Sequence, residues 1–167
     1  MQAALDIGNS GHKAYLVEKD TTVGGHMLQF DKTFPTLDCA SCISTPKMAA
    51  TAHHPNIRVL THSRVQQVVS RNGRGFLVKL RRNATFVDSA ACTGCGECSR
   101  HCPVTAVNKY NLGLDDRRAT YIEYAQAVPL AFAIDTDTCI GCGLCENMCI
   151  AKAVQYDDQP REMKITV

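Results

Sequence analysis

Residues 92–102 are CTGCGECSRHC, and residues 139–149 are CIGCGLCENMC. Both stretches have the spacing C-x2-C-x2-C-x3-C, and together they contain eight of the ten cysteines. Three thiolates at every third position of a glycine-bearing turn can bind one cubane, while the fourth cysteine of such a run binds the other cluster. The repeated run therefore predicts a bacterial-ferredoxin-like domain with two [4Fe–4S] clusters that exchange their fourth ligands.

The predicted ligand sets follow from that exchange. The first cluster is assigned to Cys92, Cys95, Cys98 and Cys149. The second cluster is assigned to Cys139, Cys142, Cys145 and Cys102. The glycines between the ligands should adopt positive φ angles, so that backbone N–H groups can approach the cluster sulfurs. These glycines are Gly94, Gly96, Gly141 and Gly143.

Structural zinc and disulfides are the alternative explanations for so many cysteines. Zinc sites usually combine two separated C-x2-C pairs rather than four cysteines in one short run. A disulfide framework suits a secreted chain, and nothing in the sequence indicates secretion. Ile150 follows the second run where Pro103 follows the first, but this departure removes no ligand. We therefore expect two [4Fe–4S] clusters used for electron transfer, with a metal-stabilised interaction module without redox turnover as the alternative.

Composition narrows the class of protein. With 167 residues, 45% of them apolar, the chain is long enough for one globular domain or two small ones. A net charge of +2 gives no strongly basic character, so no nucleic-acid partner is expected. No apolar run approaches the roughly 18 residues of a membrane span. Cysteine-rich chains of this type belong in reducing surroundings, which favours the cytoplasm.

The region before the cysteine runs combines predicted helix and strands. Residues 2–10 suggest a helix that stops at Gly11, and residues 13–19 suggest a strand with apolar residues on both faces, as in a buried parallel sheet. A hairpin turn is expected around Asn72–Gly73. Further strands are expected at residues 57–61, 64–69, 76–81 and 161–167.

Glu18 lies at the end of the predicted strand 13–19. A helix, a strand and then an acidic residue make up the second half of a dinucleotide-binding βαβ unit, in which the carboxylate binds the adenosine ribose. The glycine-rich G-x-G-x-x-G that should precede the helix is not in this sequence. On this pattern alone, Glu18 is either a ribose ligand or an ordinary surface glutamate.

The motifs lie within sequence that resembles a known family. Residues 11–48, GHKAYLVEKDTTVGGHMLQFDKTFPTLDCASCISTPKM, resemble the iron–sulfur flavoprotein of CoB–CoM heterodisulfide reductase, its A subunit. The resemblance continues through HPNIRVLT, VDSAACTGCGECSRHCPV, YAQAVPLAFAID and the second cysteine run. It covers nearly the whole chain, in the linking sequence as well as in the motifs.

The resemblance implies a domain arrangement of mixed α+β and α/β class. In that family a thioredoxin-reductase-like FAD domain carries an inserted two-cluster ferredoxin domain, so the chain looks like an interior piece. Residues 1–86 would be part of the Rossmann-like FAD-binding domain, and residues 87–160 would be the two-cluster domain. Residues 161–167 would be a strand returning to the flavin domain.

The resemblance also implies a role. Such a flavoprotein would relay electrons between FAD and partner subunits or electron carrier proteins, in an assembly that reduces the mixed disulfide of two thiol coenzymes. FAD is expected in the full-length protein. Because the pyrophosphate loop is missing here, this chain is not expected to perform flavin chemistry alone, and no catalytic residue is predicted.

Cys39 and Cys42 form a separate C-x2-C pair. The pair could supply two ligands of a further [4Fe–4S] cluster that is shared with other segments, act as a redox dithiol, or be two buried, inert thiols. The resemblance favours cluster ligation, because members of that family carry cluster-binding cysteines outside the ferredoxin insert.

The remaining polar residues give weaker signals. His101 is expected to be solvated although it neighbours a predicted ligand, and His26 is expected to be structural. His53 and His54 fall in a predicted loop before a strand. Arg117 and Arg118 are expected to form a solvated face, with a docking surface for another subunit as the alternative.

Overall fold

The computed structural model describes residues 1–71, 73 and 75–167. Its α-helices are α1 (Gln2–Asn9), α2 (Ala40–His53), α3 (Glu97–Arg100) and α4 (Leu144–Met148), and a 3₁₀ helix covers Gly25–Gln29. Its strands are β1 (Ala14–Val17), β2 (Lys32–Thr33), β3 (Asp38–Cys39), β4 (Ile57–Leu60), β5 (Ser63–Ser70), β6 (Phe76–Arg82), β7 (Thr105–Val107), β8 (Asp116–Arg118), β9 (Thr120–Tyr121), β10 (Ala133–Ile134) and β11 (Arg161–Thr166). Among these residues no helix has the length and apolar character needed to cross a membrane.

The N-terminal helix and strands form a small parallel unit. β1 pairs in parallel with β4 along its whole length, and the chain between them passes through α2. The predicted helix at 2–10 and the predicted strands at 13–19 and 57–61 are therefore confirmed. The expected burial of β1 on both faces is wrong, because Tyr15 is 37% exposed and β4 is the one described strand that pairs with β1.

Helix α2 is not apparent from the sequence. Pro46 lies inside it, and a proline removes one helical hydrogen bond. The buried residues of α2 are Ala40, Ser44, Met48 and Thr51, spaced so that they share one face. Because two of these four are polar, the buried face does not stand out as an apolar stripe.

A three-stranded antiparallel sheet has the order β11-β6-β5. The predicted strands at 64–69 and 76–81 are confirmed as β5 and β6, which pair as a hairpin. Asn72 of the predicted turn lies outside the described residues. The strand predicted at 161–167 is observed as β11, and it pairs with β6 from before the cysteine runs.

The two cysteine runs adopt matching local structures. α3 begins after Gly96 and α4 begins after Gly143, with φ angles of 85° and 77°. Gly94 and Gly141 also match each other, with φ angles of 69° and 68°. The predicted positive φ angles are confirmed at all four glycines. The core between the two runs consists of Val87, Cys98, Phe132, Ile134, Cys145, Ala153 and Val154.

The segment between the runs packs against the N-terminal unit. Thr22 Oγ1 accepts a hydrogen bond from the Val128 N–H at 2.7 Å, and the Val23 N–H donates to the Val128 carbonyl at 3.0 Å. The Tyr124 hydroxyl donates to the Val23 carbonyl. A small apolar core forms where Val23 and Met48 meet Tyr124 and Val128. These contacts explain why the segment is longer than a compact two-cluster module requires.

Arg117 is not on a solvated face, so that expectation is wrong. Its guanidinium lies 2.7 Å from the carboxylate of Asp135, and the two side chains are only 11% and 10% exposed. The guanidinium also lies over the ring of Tyr121, 3.7 Å from the ring centroid. Arg118 is exposed, as expected, and donates to the Thr105 hydroxyl at 2.9 Å.

Thr22→Val should loosen the contact between the inter-run segment and the N-terminal unit. Valine keeps the shape but leaves the Val128 N–H without its acceptor, at a cost of about 1–3 kcal/mol. We expect the Val23 and Val128 amides to exchange hydrogen at least about fivefold faster. Thr136→Val, at an exposed position, is the control. Unchanged exchange at both amides would contradict the assigned role of Thr22.

Arg117→Gln should destabilise the chain far more than the neighbouring Arg118→Gln. Removing one partner of a buried ion pair typically costs about 3–5 kcal/mol, because the remaining charge stays buried and unpaired. Exposed charges usually contribute about 1 kcal/mol or less. The measurement is the concentration of guanidinium chloride at which half of the protein is unfolded, followed by circular dichroism. Equal midpoints for the two variants would show that the Arg117–Asp135 pair adds nothing to stability.

Candidate metal centres

Four cysteines surround a cavity beside α3. Cys92, Cys95 and Cys98 come from the first run, and Cys149 comes from the end of the second. The wall between them is mainly apolar and includes Phe132. Cys98 is buried in the core, whereas Cys95 is exposed, so the cavity extends from the core to the surface. The structure thus brings together the four residues predicted for the first cluster.

A second cavity lies beside α4. It is lined by Cys139, Cys142 and Cys145 of the second run and by Cys102 of the first. Cys145 and Cys102 are buried, and Cys142 is exposed. The two cavities have similar volumes, about 330 Å³ and about 270 Å³, both including open solvent. Their similarity matches the duplicated sequence, and the second predicted set of cysteines is also brought together.

The crossing of the fourth cysteines results from the packing of α3 against α4. Cys102 follows α3, and Cys149 ends α4. Since the two short helices lie side by side, a cysteine one or two residues beyond each helix reaches the cavity of the other run. Each cavity therefore receives three cysteines from one run and one from the other.

The donors of both cavities fit an iron–sulfur cluster. Each cavity is lined by four cysteines, with no histidine or carboxylate among its described lining residues, and thiolates are the ligands that such clusters use. In the part of the chain that the structure describes, no three His, Cys, Asp or Glu side chains converge closely enough to hold a single metal ion. In a cubane each thiolate binds a different iron, so the four sulfurs lie farther apart than the ligands of a single zinc ion. Cysteines that do not converge on one point therefore suit a cluster better than zinc.

Burial and hydrogen bonds distinguish the thiols. Burial, with a smaller contribution from neighbouring cysteines, raises the pKa of Cys98 to about 12. Burial also acts to raise the pKa of Cys102, but hydrogen bonds, the largest from the Thr120 backbone, outweigh it and lower this pKa. Cys149 Sγ accepts from the Ala153 N–H at 3.2 Å, and Cys139 Sγ accepts from the Gly141 N–H at 3.4 Å. Because thiols must lose their protons to bind metal, metal loading of these cavities would release protons.

Two cavity residues escape sequence analysis. Thr120 is buried in the wall of the second cavity, and the Tyr156 hydroxyl lies 3.0 Å from Cys145 Sγ. Tyr156 is 40% exposed, but partial desolvation of its hydroxyl, and then the hydrogen bond with Cys145, raise its pKa. Neither residue belongs to a ligand spacing, so no sequence pattern points to them.

Cys39 and Cys42 lie at the start of α2 and line neither cysteine cavity. Both are exposed, so the interpretation as buried thiols is wrong. Cys39 caps the helix, and its sulfur accepts from the Cys42 N–H at 3.2 Å. Hydrogen bonds from the Cys42 side chain and backbone lower the pKa of Cys39, whereas the bond to Cys39 raises the pKa of Cys42. Cluster ligation and redox activity are both compatible with this exposed pair.

A larger cavity lies where the N-terminal unit meets the inter-run segment. Its volume is about 1940 Å³ including open solvent, several times that of either cysteine cavity. Glu18 lines it, and its carboxylate accepts from the Asp20 N–H at 3.1 Å. His62 Nδ1 and the Tyr110 hydroxyl are buried without a hydrogen-bond partner in the described part of the chain, and both residues line this cavity.

The histidines at positions 26, 53, 54 and 101 lie outside the cysteine cavities. His26 lines the large cavity and is exposed. His101 is exposed, as expected, and lies 3.4 Å from the carboxylate of Glu97. His53 is the last residue of α2 rather than part of a loop, because the sequence does not reveal that helix. The Nε2 atom of His54 lies 3.2 Å from the side-chain oxygen of Asn9.

Comparison with known proteins agrees with these cavities. The 4Fe-4S dicluster domain family matches residues 91–153, which contain both runs. The iron-sulfur A subunit of CoB–CoM heterodisulfide reductase from Methanocaldococcus jannaschii is 48% identical over 167 residues, covering 100% of this chain and 25% of that protein. The A subunit of the H(2)/formate:CoB-CoM heterodisulfide,ferredoxin reductase from Methanococcus maripaludis is 50% identical over the same shares.

A further relative gives the same result. A protein from Archaeoglobus profundus, described as similar to the A subunit of heterodisulfide reductase, is 51% identical over 129 residues, covering 76% of this chain and 18% of that protein. The chain spans about a quarter of the length of the first two relatives. Across its whole length the chain is similar to the iron–sulfur A subunits of CoB–CoM heterodisulfide reductase.

Proposed function

We propose that the chain transfers electrons one at a time through two [4Fe–4S] clusters within a heterodisulfide-reductase-like flavoprotein. The first cluster is held by Cys92, Cys95, Cys98 and Cys149. The second is held by Cys139, Cys142, Cys145 and Cys102. The observation that carries this proposal is the pair of cavities, each lined by four cysteines drawn from both runs.

The packing between the two cavities supports transfer from one cluster to the other. Cys98 and Cys145, one from each set, belong to the same buried core. They are close enough for the charge of Cys145 to act on the pKa of Cys98. The clusters supply the one-electron chemistry, while the chain buries them, positions them and donates hydrogen bonds to their sulfurs.

The large cavity supports a flavin site in the full-length protein. Glu18 follows β1, where the acidic residue of a dinucleotide-binding fold contacts the ribose. Two unpaired buried polar atoms of the described chain, His62 Nδ1 and the Tyr110 hydroxyl, belong to residues that line the same cavity. We place FAD there only in a protein that supplies the glycine-rich loop, because these 167 residues contain none.

The assembly extends the proposal beyond this chain. The names of the relatives describe one component of a larger complex, which supports partner subunits and electron carrier proteins as donors and acceptors. Cys39 and Cys42 would contribute two ligands to a further [4Fe–4S] cluster completed by other segments. Phe34 and Leu37 are close to this pair in the sequence, and they are 92% and 63% exposed. These exposed apolar side chains support the proposal that another segment or subunit packs over the pair. The reducing cytoplasm suits all of these centres.

Iron content and one ligand variant test the proposal. The anaerobically prepared chain should contain roughly eight irons, as expected of two cubanes. Cys95→Ala should remove the electron paramagnetic resonance signal of one reduced cluster and partly retain the other. Cys42→Ala is the matched control, since it removes an exposed cysteine that lines neither cavity. It should leave the iron content of this chain unchanged.

Two results would contradict the proposal. If Cys95→Ala left both cluster signals intact, the ligand assignment would be wrong. If the reconstituted chain held zinc and almost no iron, or showed no reversible one-electron reduction, a metal-stabilised interaction module would be the better description.

A further inference from the structure

The two cysteine cavities have matching ligands but different walls. The wall of the first includes the buried side chain of Phe132. Thr93 also lines it, but in the described part of the chain no side-chain hydroxyl donates a hydrogen bond to any of its cysteines. The wall of the second includes Tyr156, whose hydroxyl lies 3.0 Å from Cys145 Sγ. The cavities therefore differ in side-chain hydrogen bonding to sulfur.

Tyr156 is held in place by the backbone on both sides of it. Val154 forms an antiparallel bridge with Val87, and the Gln155 N–H donates to the Phe86 carbonyl at 2.9 Å. Asp158 then accepts from the Thr85 N–H at 3.0 Å through its carboxylate. These contacts fix the turn that carries Tyr156, so its hydroxyl meets Cys145 without the entropy cost of ordering a mobile loop.

The direction of the hydrogen bond follows from the chemistry of the sulfur. A cysteine that ligates iron has lost its proton, so Cys145 can only accept and the Tyr156 hydroxyl must donate. One backbone N–H donates to Cys149 of the first cavity and one to Cys139 of the second, and Cys102 of the second cavity also has hydrogen bonds from Thr120. Tyr156 is thus an additional donor to the second cavity, and the described residues of the first cavity provide no counterpart.

We infer that Tyr156 raises the reduction potential of the second cluster above that of the first, so that a single electron entering the pair resides mainly on the second cluster. This inference rests on the proposed function. Reduction adds one electron from an external one-electron donor and breaks no bond, while the proton stays on Tyr156. The added negative charge is shared with the ligand sulfurs, so a donor to Cys145 stabilises the reduced state more than the oxidised state.

Tyr156→Phe tests this inference, because it removes the hydroxyl and keeps the ring. Both midpoints of the cluster-loaded chain are measured by potentiometric titration with electron paramagnetic resonance. The more positive midpoint should fall while the other stays in place. In the one-electron-reduced chain, the ratio of reduced second cluster to reduced first cluster should fall roughly fivefold, the change expected for one net hydrogen bond.

Two further variants make the test specific. Tyr15→Phe removes a hydroxyl on β1, away from both cavities, and should change neither midpoint. Cys142→Ser, which alters a ligand of the second cluster only, should displace the same midpoint that Tyr156→Phe displaces. Site-specific 3-fluorotyrosine at position 156 makes the hydroxyl a stronger donor. It should move that midpoint upward at a slightly acidic pH, where the hydroxyl keeps its proton.

The outcomes separate this inference from the function on which it rests. If two clusters load and Tyr156→Phe leaves both midpoints unchanged, or shifts both equally, Tyr156 does not tune the second cluster. A shift confined to the more negative midpoint also overturns the inference. A chain that binds no clusters overturns the proposed function and this inference with it.

Discussion

The packing of α3 against α4 is the constraint on which the cysteine cavities depend. Cys102 and Cys149 are distant from their cavities along the chain, and the side-by-side helices bring each to the opposite run. The same contact buries Cys98 and Cys145 in one core. If the two halves separated, each run would keep three cysteines, both cavities would lose their fourth, and the shared core would open to solvent.

The segment between the runs connects this module to the N-terminal unit. Its Thr120 lines the second cavity, its Arg117–Asp135 pair lines the large cavity, and its Val128 is hydrogen-bonded to Thr22. One continuous stretch therefore contacts both the proposed second cluster and the proposed flavin site. A short ferredoxin linker could not make these contacts, which gives the additional length a structural reason.

The duplicated runs make two nearly equal sites, and the unique parts of the chain make them different. Gly94 matches Gly141 and Gly96 matches Gly143, so the ligand loops have the same backbone geometry. Phe132 and Tyr156 belong to no repeat, and each contributes to one cavity. Duplication thus supplies the metal chemistry, whereas the surrounding residues decide how readily each site accepts an electron.

The cysteine spacing alone determined the type of centre, the number of centres and the positive φ of the intervening glycines, because ligand spacing is a local property of the chain. The strands around Asn72–Gly73 were also predictable from local pattern. Helix α2 was not, since Pro46 and a partly polar buried face hide it, and the burial of Arg117 and exposure of Cys39 depend on distant residues. The position of Tyr156 beside Cys145 was decided only by the tertiary structure. The turn that carries Tyr156 is held by Phe86 and Val87, and contacts with residues so far away in the sequence leave no periodic signal.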